Sequence, residues 1–222
     1  MEQPEQPEFS HFAIDGPPWE KKHEIGFFVA FIETIKAFLM RPASTYSVMR
    51  RKAGIGDALV YTVAIQVFSF LWLFAVTDAS PEMFLPQSPE FQELFQLPEN
   101  FGQKLVILYP FTVIILQFLA AYAFHLALSW RNLQNYDFSL IFRIVAYTSG
   151  TAAILSLIPI VGGFLSILMT VYLAYVGLRT IYALDVASFS ITAVMALFIT
   201  LGLYILMAVG LAVVLLVLSL II

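Results

Sequence analysis

SLIFRIVAYTSGTAAILSLIPIVGGFLSILMTVYLAYVGLRTIYA, residues 139–183, is the stretch that decides the fold. It holds two apolar runs, about 139–158 and 163–183, joined by the tight, uncharged turn Pro159-Ile160-Val161-Gly162-Gly163. A helix rises about 1.5 Å per residue, so each run matches a hydrocarbon core of about 30 Å. Working outward, further runs lie at about 57–76, 104–129 and 190–215. The last belongs to an unbroken apolar stretch, 188–222, that would be about 52 Å long if wholly helical. No turn chemistry divides it, so it counts as one span. Tilt, a bend near Gly202 or Gly210, or an interfacial start absorbs the excess.

The sequence therefore predicts an all-α polytopic membrane protein with five transmembrane helices. Composition agrees, with 60% hydrophobic residues, 12% charged residues and a mean hydropathy of +0.87. A soluble domain of 222 residues cannot hide that much apolar surface, whereas hydrocarbon solvates it. Five spans put Lys21, Lys22, Lys36, Arg41, Arg50, Arg51, Lys52, Arg131, Arg143 and Arg179 on or near one face and Lys104 alone on the other. Cytoplasmic loops retain Lys and Arg, so the expected N-terminus is cytoplasmic and the C-terminus extracytoplasmic. The net charge of −4 comes from one place: Asp78, Glu82, Glu90, Glu93 and Glu99 against Lys104, between the first two spans. That acidity gives no reason to expect nucleic acid as a partner. Cysteine is absent, which removes disulfide and thiolate chemistry. Residues 1–23 contain no apolar h-region, so the first span is expected to direct insertion itself.

Ahead of the spans the pattern changes twice. Residues 1–23 are rich in Pro, Glu and Gln and read as a flexible cytoplasmic tail, with His11 and His23 as solvated side chains rather than a metal pair. Residues 24–52 read as amphipathic and basic juxtamembrane helices, and 53–222 as the bundle. In the first helix Ile25, Phe28, Ile32, Ile35 and Leu39 recur at helical spacing, widened by Phe27, Phe31 and Phe38, with Glu33 and Lys36 opposite. It is expected to lie in the membrane interface or against the cytoplasmic ends of the bundle. Arg41-Pro42 stops it, and a second short helix of about 43–52 ends in Arg50-Arg51-Lys52. Ser80-Pro81-Glu82 and Ser88-Pro89-Glu90 read as helix starts between the first two spans, and Pro110 as a kink near the outer end of the second.

Two constellations are candidate sites. Gly163, Ser166, Thr170, Ala174 and Gly177 form a small-residue face along the fourth span, and Ala146, Ser149, Gly150, Ala153 and Ser156 face it from the third. Small faces let backbones approach closely, so a tight central hairpin seam is expected, in preference to a pore. At the cytoplasmic side, His125, Arg143 and Arg179 fall at one depth with Asp57, Asp137 and Asp185 at the rim. They could grip a lipid phosphate. Alternatively, the arginines snorkel or pair with the rim carboxylates, which is the preferred reading. No mid-span Asp or Glu, no H-E-x-x-H, no G-x-S-x-G and no phosphate-cradling Gly loop is present, so neither catalysis, a metal nor a cofactor is expected.

Three segments together resemble the Yip-domain family of Ypt/Rab-interacting-protein-like membrane proteins, most closely its prokaryotic branch. They are FFVAFIETIKAFLMRPASTYSVMRRKAGIGDALVY (27–61), FRIVAYTSGTAAILSLIPIVGG (142–163) and LMTVYLAYVGLRTIYALD (168–185). The resemblance covers about residues 27–200. It implies a five-span, non-enzymatic protein, here in a prokaryotic cytoplasmic (inner) membrane. Eukaryotic members of the family bind prenylated Rab-type GTPases. This chain lacks the Tyr-Gly-Pro tripeptide typical of those members, so the resemblance carries over neither GTPase binding nor any functional residue. The expected function is membrane organisation or partner docking, with membrane lipids, anionic ones included, and an unidentified protein as partners. The alternative is a small lipid or solute transporter or channel, either of them compatible with a homo-oligomer.

Overall fold

Residues 16–77, 101–133 and 137–221 are described by the computed structural model, and among them every regular element is helical. A short 3-10 turn, Pro18–Lys21, leads into α1 (Lys22–Ile25), α2 (Phe27–Met40) and α3 (Pro42–Ser47). The spans follow as α4 (Gly56–Thr77), α5 (Phe101–Trp130), α6 (Phe138–Ala153, continued by a 3-10 turn, Ile154–Leu157), α7 (Gly162–Tyr182) and α8 (Val186–Ile221). Each contains a stretch long and apolar enough to cross a membrane, within one or two residues of the expected limits at most ends. The last apolar stretch is one uninterrupted helix of 36 residues, about 54 Å by helical rise. α5 likewise runs through Pro110 without a break. The two helix starts expected at Ser80 and Ser88 lie outside the described residues.

The centre of the bundle is α6. Eleven of its 16 residues are buried, and α4, α5 and α7 pack around it, while α8 attaches mainly along α5. The outer spans keep Phe111, Ile115, Phe164, Ile167, Leu197 and Phe198 exposed, as a lipid-facing surface requires. At the centre α4 and α6 approach closely. A Cβ added to Gly150 would lie 2.9 Å from the Thr62 Cα. This close contact joins α6 to α4, in addition to the α6–α7 hairpin in which the seam is expected.

The hairpin turn itself is demanding at one glycine only. A Cβ on Gly162 would sit 2.3 Å from the Leu155 carbonyl oxygen, whereas one on Gly163 would meet nothing within 4 Å. Gly162→Ala is expected to destabilise the protein by about 1–3 kcal/mol, an overpacking cost against backbone that cannot move aside. Gly163→Ala should change stability by less than about 0.5 kcal/mol. Thermal unfolding of the two variants in one detergent checks the contrast.

The N-terminal layer departs from the sequence expectation in three ways. Residues 1–15 lie outside the described residues, but from Gly16 onward the supposed tail is packed structure, with Trp19 fully buried. The helix expected from residue 24 is broken at Gly26, whose φ of +89° suits glycine. α3 is also shorter than predicted: it ends at Ser47, and Arg50-Arg51-Lys52 sits beyond it in a bend. On α2 the buried residues are Ala30, Thr34 and Phe38, while Phe28 and Ile32 from the predicted apolar stripe face outward. The helix does pack on the ends of the spans, but through an edge of its stripe rather than the stripe's middle.

Candidate functional site: an anchored N-terminal layer and a polar bundle interior

Trp19 fixes the layer to the bundle. Its backbone N–H donates to the Thr34 hydroxyl at 2.7 Å, and its indole N–H donates to the Asp57 carbonyl at 2.7 Å. Its ring lies against Phe27, Phe31 and Tyr61 at centroid distances of 4.9 to 5.9 Å. One residue on, Glu20 receives the Arg143 guanidinium and the Tyr147 hydroxyl, the latter at 3.1 Å. Arg143 also donates to the Arg50 backbone carbonyl. The two side chains are only 1% and 8% exposed, so this is a buried ion pair, supported by the Tyr147 hydroxyl and the Arg50 carbonyl. Lys22 pairs with Asp57 beside it.

Further along, Tyr46 inserts between α6 and α7. Its hydroxyl meets the Thr148 hydroxyl at 2.7 Å, and its ring sits where any Cβ on Gly177 would come within 3.0 Å. Burial pushes the Tyr46 phenol above its ordinary pKa, so it remains a neutral hydrogen-bonding group. Phe38, Tyr46, Tyr61 and Tyr147 are all fully buried and in ring contact with one another. Together with Trp19 they close the basic end of the bundle.

Behind this closure the interior is unexpectedly polar. Tyr61 and Thr151 hydroxyls meet at 2.9 Å, Thr62 and Ser149 at 3.2 Å, and Gln117 donates to Ser149 at 2.7 Å. Gln66 donates to Thr62 at 3.0 Å. The chain of groups ends in a cleft of about 330 Å³ lined by Gln66, Ser69, Ser149, Ser156, Ser166 and Thr170, with Phe70, Leu73 and Tyr109 as apolar and aromatic wall. A second concavity lies at the other end. It is a groove of about 590 Å³ between α2, α3 and residues 16–18, walled by Ile25, Val29 and Met40, with Glu33, Lys36 and Arg41 at its edge.

The predicted lipid cluster is not gathered. Arg143 is buried and held by Glu20, Asp57 is engaged by Lys22, and Arg179 is exposed, donating to the Tyr175 hydroxyl at 3.0 Å. Asp185 caps α8 by accepting the Ser188 backbone N–H at 2.9 Å. Hydrogen bonds from Ser188, side chain first and backbone second, hold the Asp185 carboxyl below its usual range. His125 stands edge-on to Phe138, with centroids 5.7 Å apart. The physical reason is depth. A buried guanidinium takes the nearest carboxylate that can reach it, and that carboxylate comes from the N-terminal layer rather than the rim.

The predicted seam is closed only in part. Gly177 is packed hard against Tyr46 and Ile144, and Ala174 is half-buried. Ser166 and Thr170 instead line the cleft, and Gly163 faces open space. Sequence reasoning missed Glu20, Tyr46, Gln66 and Gln117. Two amides inside otherwise apolar spans were the available signal, since polar groups at membrane depth face an interior rather than lipid. No family model, no curated protein and no solved structure matches this chain.

Proposed function

We propose that this is a non-enzymatic integral membrane protein of Yip-domain type that organises anionic lipid in the cytoplasmic leaflet through its anchored N-terminal layer. The observation that carries it is the groove between α2 and α3. Its walls, Ile25, Val29 and Met40, suit an acyl chain, and Lys36 and Arg41 stand at its edge, Lys36 paired with Glu33 at 2.8 Å. Exposed Arg50, Arg51 and Lys52 extend the cationic rim, and exposed Phe27, Phe28 and Ile32 supply apolar surface beside it. A base near an anionic surface contributes about 1 kcal/mol, so the cluster is of useful strength.

The rival reading, a small transporter or channel, needs a continuous wet path. The polar cleft favours it, but the buried aromatic closure of Phe38, Tyr46, Tyr61 and Tyr147 stands between that cleft and the basic end. This closure supports organisation over conduction.

In nanodiscs containing phosphatidylglycerol and phosphatidylcholine, the wild type is expected to enrich phosphatidylglycerol around itself, as measured with spin-labelled lipids. Substituting Arg41, Arg50, Arg51 and Lys52 together by Gln should reduce that preference at least about tenfold. An unchanged lipid ratio removes the reading. Reporter fusions at the two termini test the orientation it assumes.

A further inference from the structure

The cleft among α4, α5, α6 and α7 lies away from the lipid groove and has no part in the reading above. Its lining contains hydroxyls and one amide but no charged side chain. Several of those hydroxyl protons are already committed. Ser69 and Ser156 both donate to the Ala153 carbonyl, at 3.1 and 2.6 Å, and Thr170 donates to the Ser166 carbonyl at 2.8 Å. Their oxygens therefore face the cavity as acceptors. Outside the lining but bonded to it, Gln117 is 6% exposed and gives its amide N–H to Ser149, leaving its own buried oxygen without a hydrogen-bond partner. A buried orphan acceptor costs stability, and this one lies one hydrogen bond behind the Ser149 hydroxyl that lines the cleft.

One wall is apolar: Phe70 is stacked on Tyr109 with centroids 3.8 Å apart. Next in sequence to the lining residues Leu73 and Ser156, the Trp72 indole is tied to the Leu157 carbonyl at 3.1 Å. A volume of about 330 Å³ falls at the small end of ligand sites. An ammonium or phosphate would find no opposite charge here and would bear an uncompensated desolvation cost. We infer that the cleft binds a neutral, hydroxyl-rich group through its hydrogen-bond donors, either the sugar or glycerol part of a lipid head or the same chemistry on a free solute.

The test uses the full chain in detergent, with native mass spectrometry for lipids and Trp fluorescence for solutes. The probes are monoglucosyl-diacylglycerol, phosphatidylcholine of matched acyl chains, and free glucose. The wild type should retain the glucosyl lipid about tenfold better than phosphatidylcholine. Ser166→Ala with Thr170→Val should cut that retention about tenfold. The Thr170 hydroxyl bonds to the Ser166 carbonyl of its own helix, so Thr170→Val breaks no hydrogen bond between helices there, and the thermal midpoint of the double variant checks that it folds. Gln117→Leu should lose retention while raising the thermal midpoint, because it removes the orphan acceptor. A purely structural role for Gln117 would lower the thermal midpoint and leave retention unchanged.

Displacement of the lipid by free glucose assigns the site to solutes, and failure to displace assigns it to lipid heads; either supports the inference. Equal retention of both lipids with no glucose response overturns it, as does unchanged retention in Ser166→Ala/Thr170→Val. The groove substitutions at Arg41, Arg50, Arg51 and Lys52 should leave all of these readouts unaltered, so failure of one proposal is distinguishable from failure of the other.

Discussion

Glu20→Ala is expected to destabilise the folded protein by about 3–5 kcal/mol, because it leaves the Arg143 guanidinium buried with no carboxylate to answer it. The loss exceeds the worth of the pair itself. Most of it is the desolvation of one stranded charge, so the double substitution Glu20→Gln/Arg143→Met should recover most of the deficit. The exposed pair Glu33–Lys36, one helical turn apart on α2, is the internal control. Breaking it should cost no more than about 0.5 kcal/mol. Unfolding midpoints in mild detergent, followed by circular dichroism, give all three values. A cost for Glu20→Ala as small as that of the control would mean that Arg143 does not reach Glu20 in the native protein.

The other large effect belongs to Trp19→Ala, for which truncation of a fully buried indole predicts a loss of about 3–5 kcal/mol. Here the damage should be local before it is global. Trp19 joins the 3-10 turn to α2 through Thr34 and to α4 through Asp57, so its loss uncouples the layer while the contacts among α4, α5, α6 and α7 persist. Backbone amides of α2 should then exchange hydrogen much faster, with those of α6 nearly unchanged. Trp19→Phe keeps a ring against Phe27 and Phe31 but not the indole N–H, and should cost only about 1 kcal/mol beyond the change in packing. Equal acceleration in α2 and α6 would show that the layer and the bundle unfold as one unit.

What the sequence made legible, and what it hid, follows from range. The five spans depend on length and hydropathy within single segments, and both can be read locally. The same holds for the undivided helix from Val186. The anchoring layer depends on partners 15 to 127 residues away, as with Trp19 to Thr34 and Glu20 to Tyr147, and no local window contains them. Composition even misdirects: Pro17, Pro18, Glu20, Lys21 and Lys22 have the polarity of a tail, yet the prolines start a helical turn that presents Trp19 and Glu20 inward. The expectation that Arg143 would pair with a carboxylate was sound physics with the wrong candidates. The rim aspartates are its neighbours by depth along the spans, whereas Glu20 lies in a stretch whose composition reads as tail. The seam was half legible. Small residues on α7 meet Tyr46 at Gly177, but nothing in their spacing tells that Ser166 and Thr170 would border a void.

The distance along the chain between Glu20 and Arg143, 123 residues, bears on how the protein is made. At typical synthesis rates of about 5–20 residues per second, the first helices wait roughly 6–25 s before their ionic partner has even been polymerised. Tyr46 waits longer, since its slot needs Gly177 of the fourth span. Throughout that interval Phe38 and Tyr46 lack their later partners Tyr147 and Thr148, whereas every partner of Trp19 lies within residues 27–61. The Trp19 anchor to the first span can thus form early, while closure around Arg143 and Gly177 is a late event that follows synthesis of the third and fourth spans, and a truncated product would leave Tyr46 and Glu20 unsatisfied.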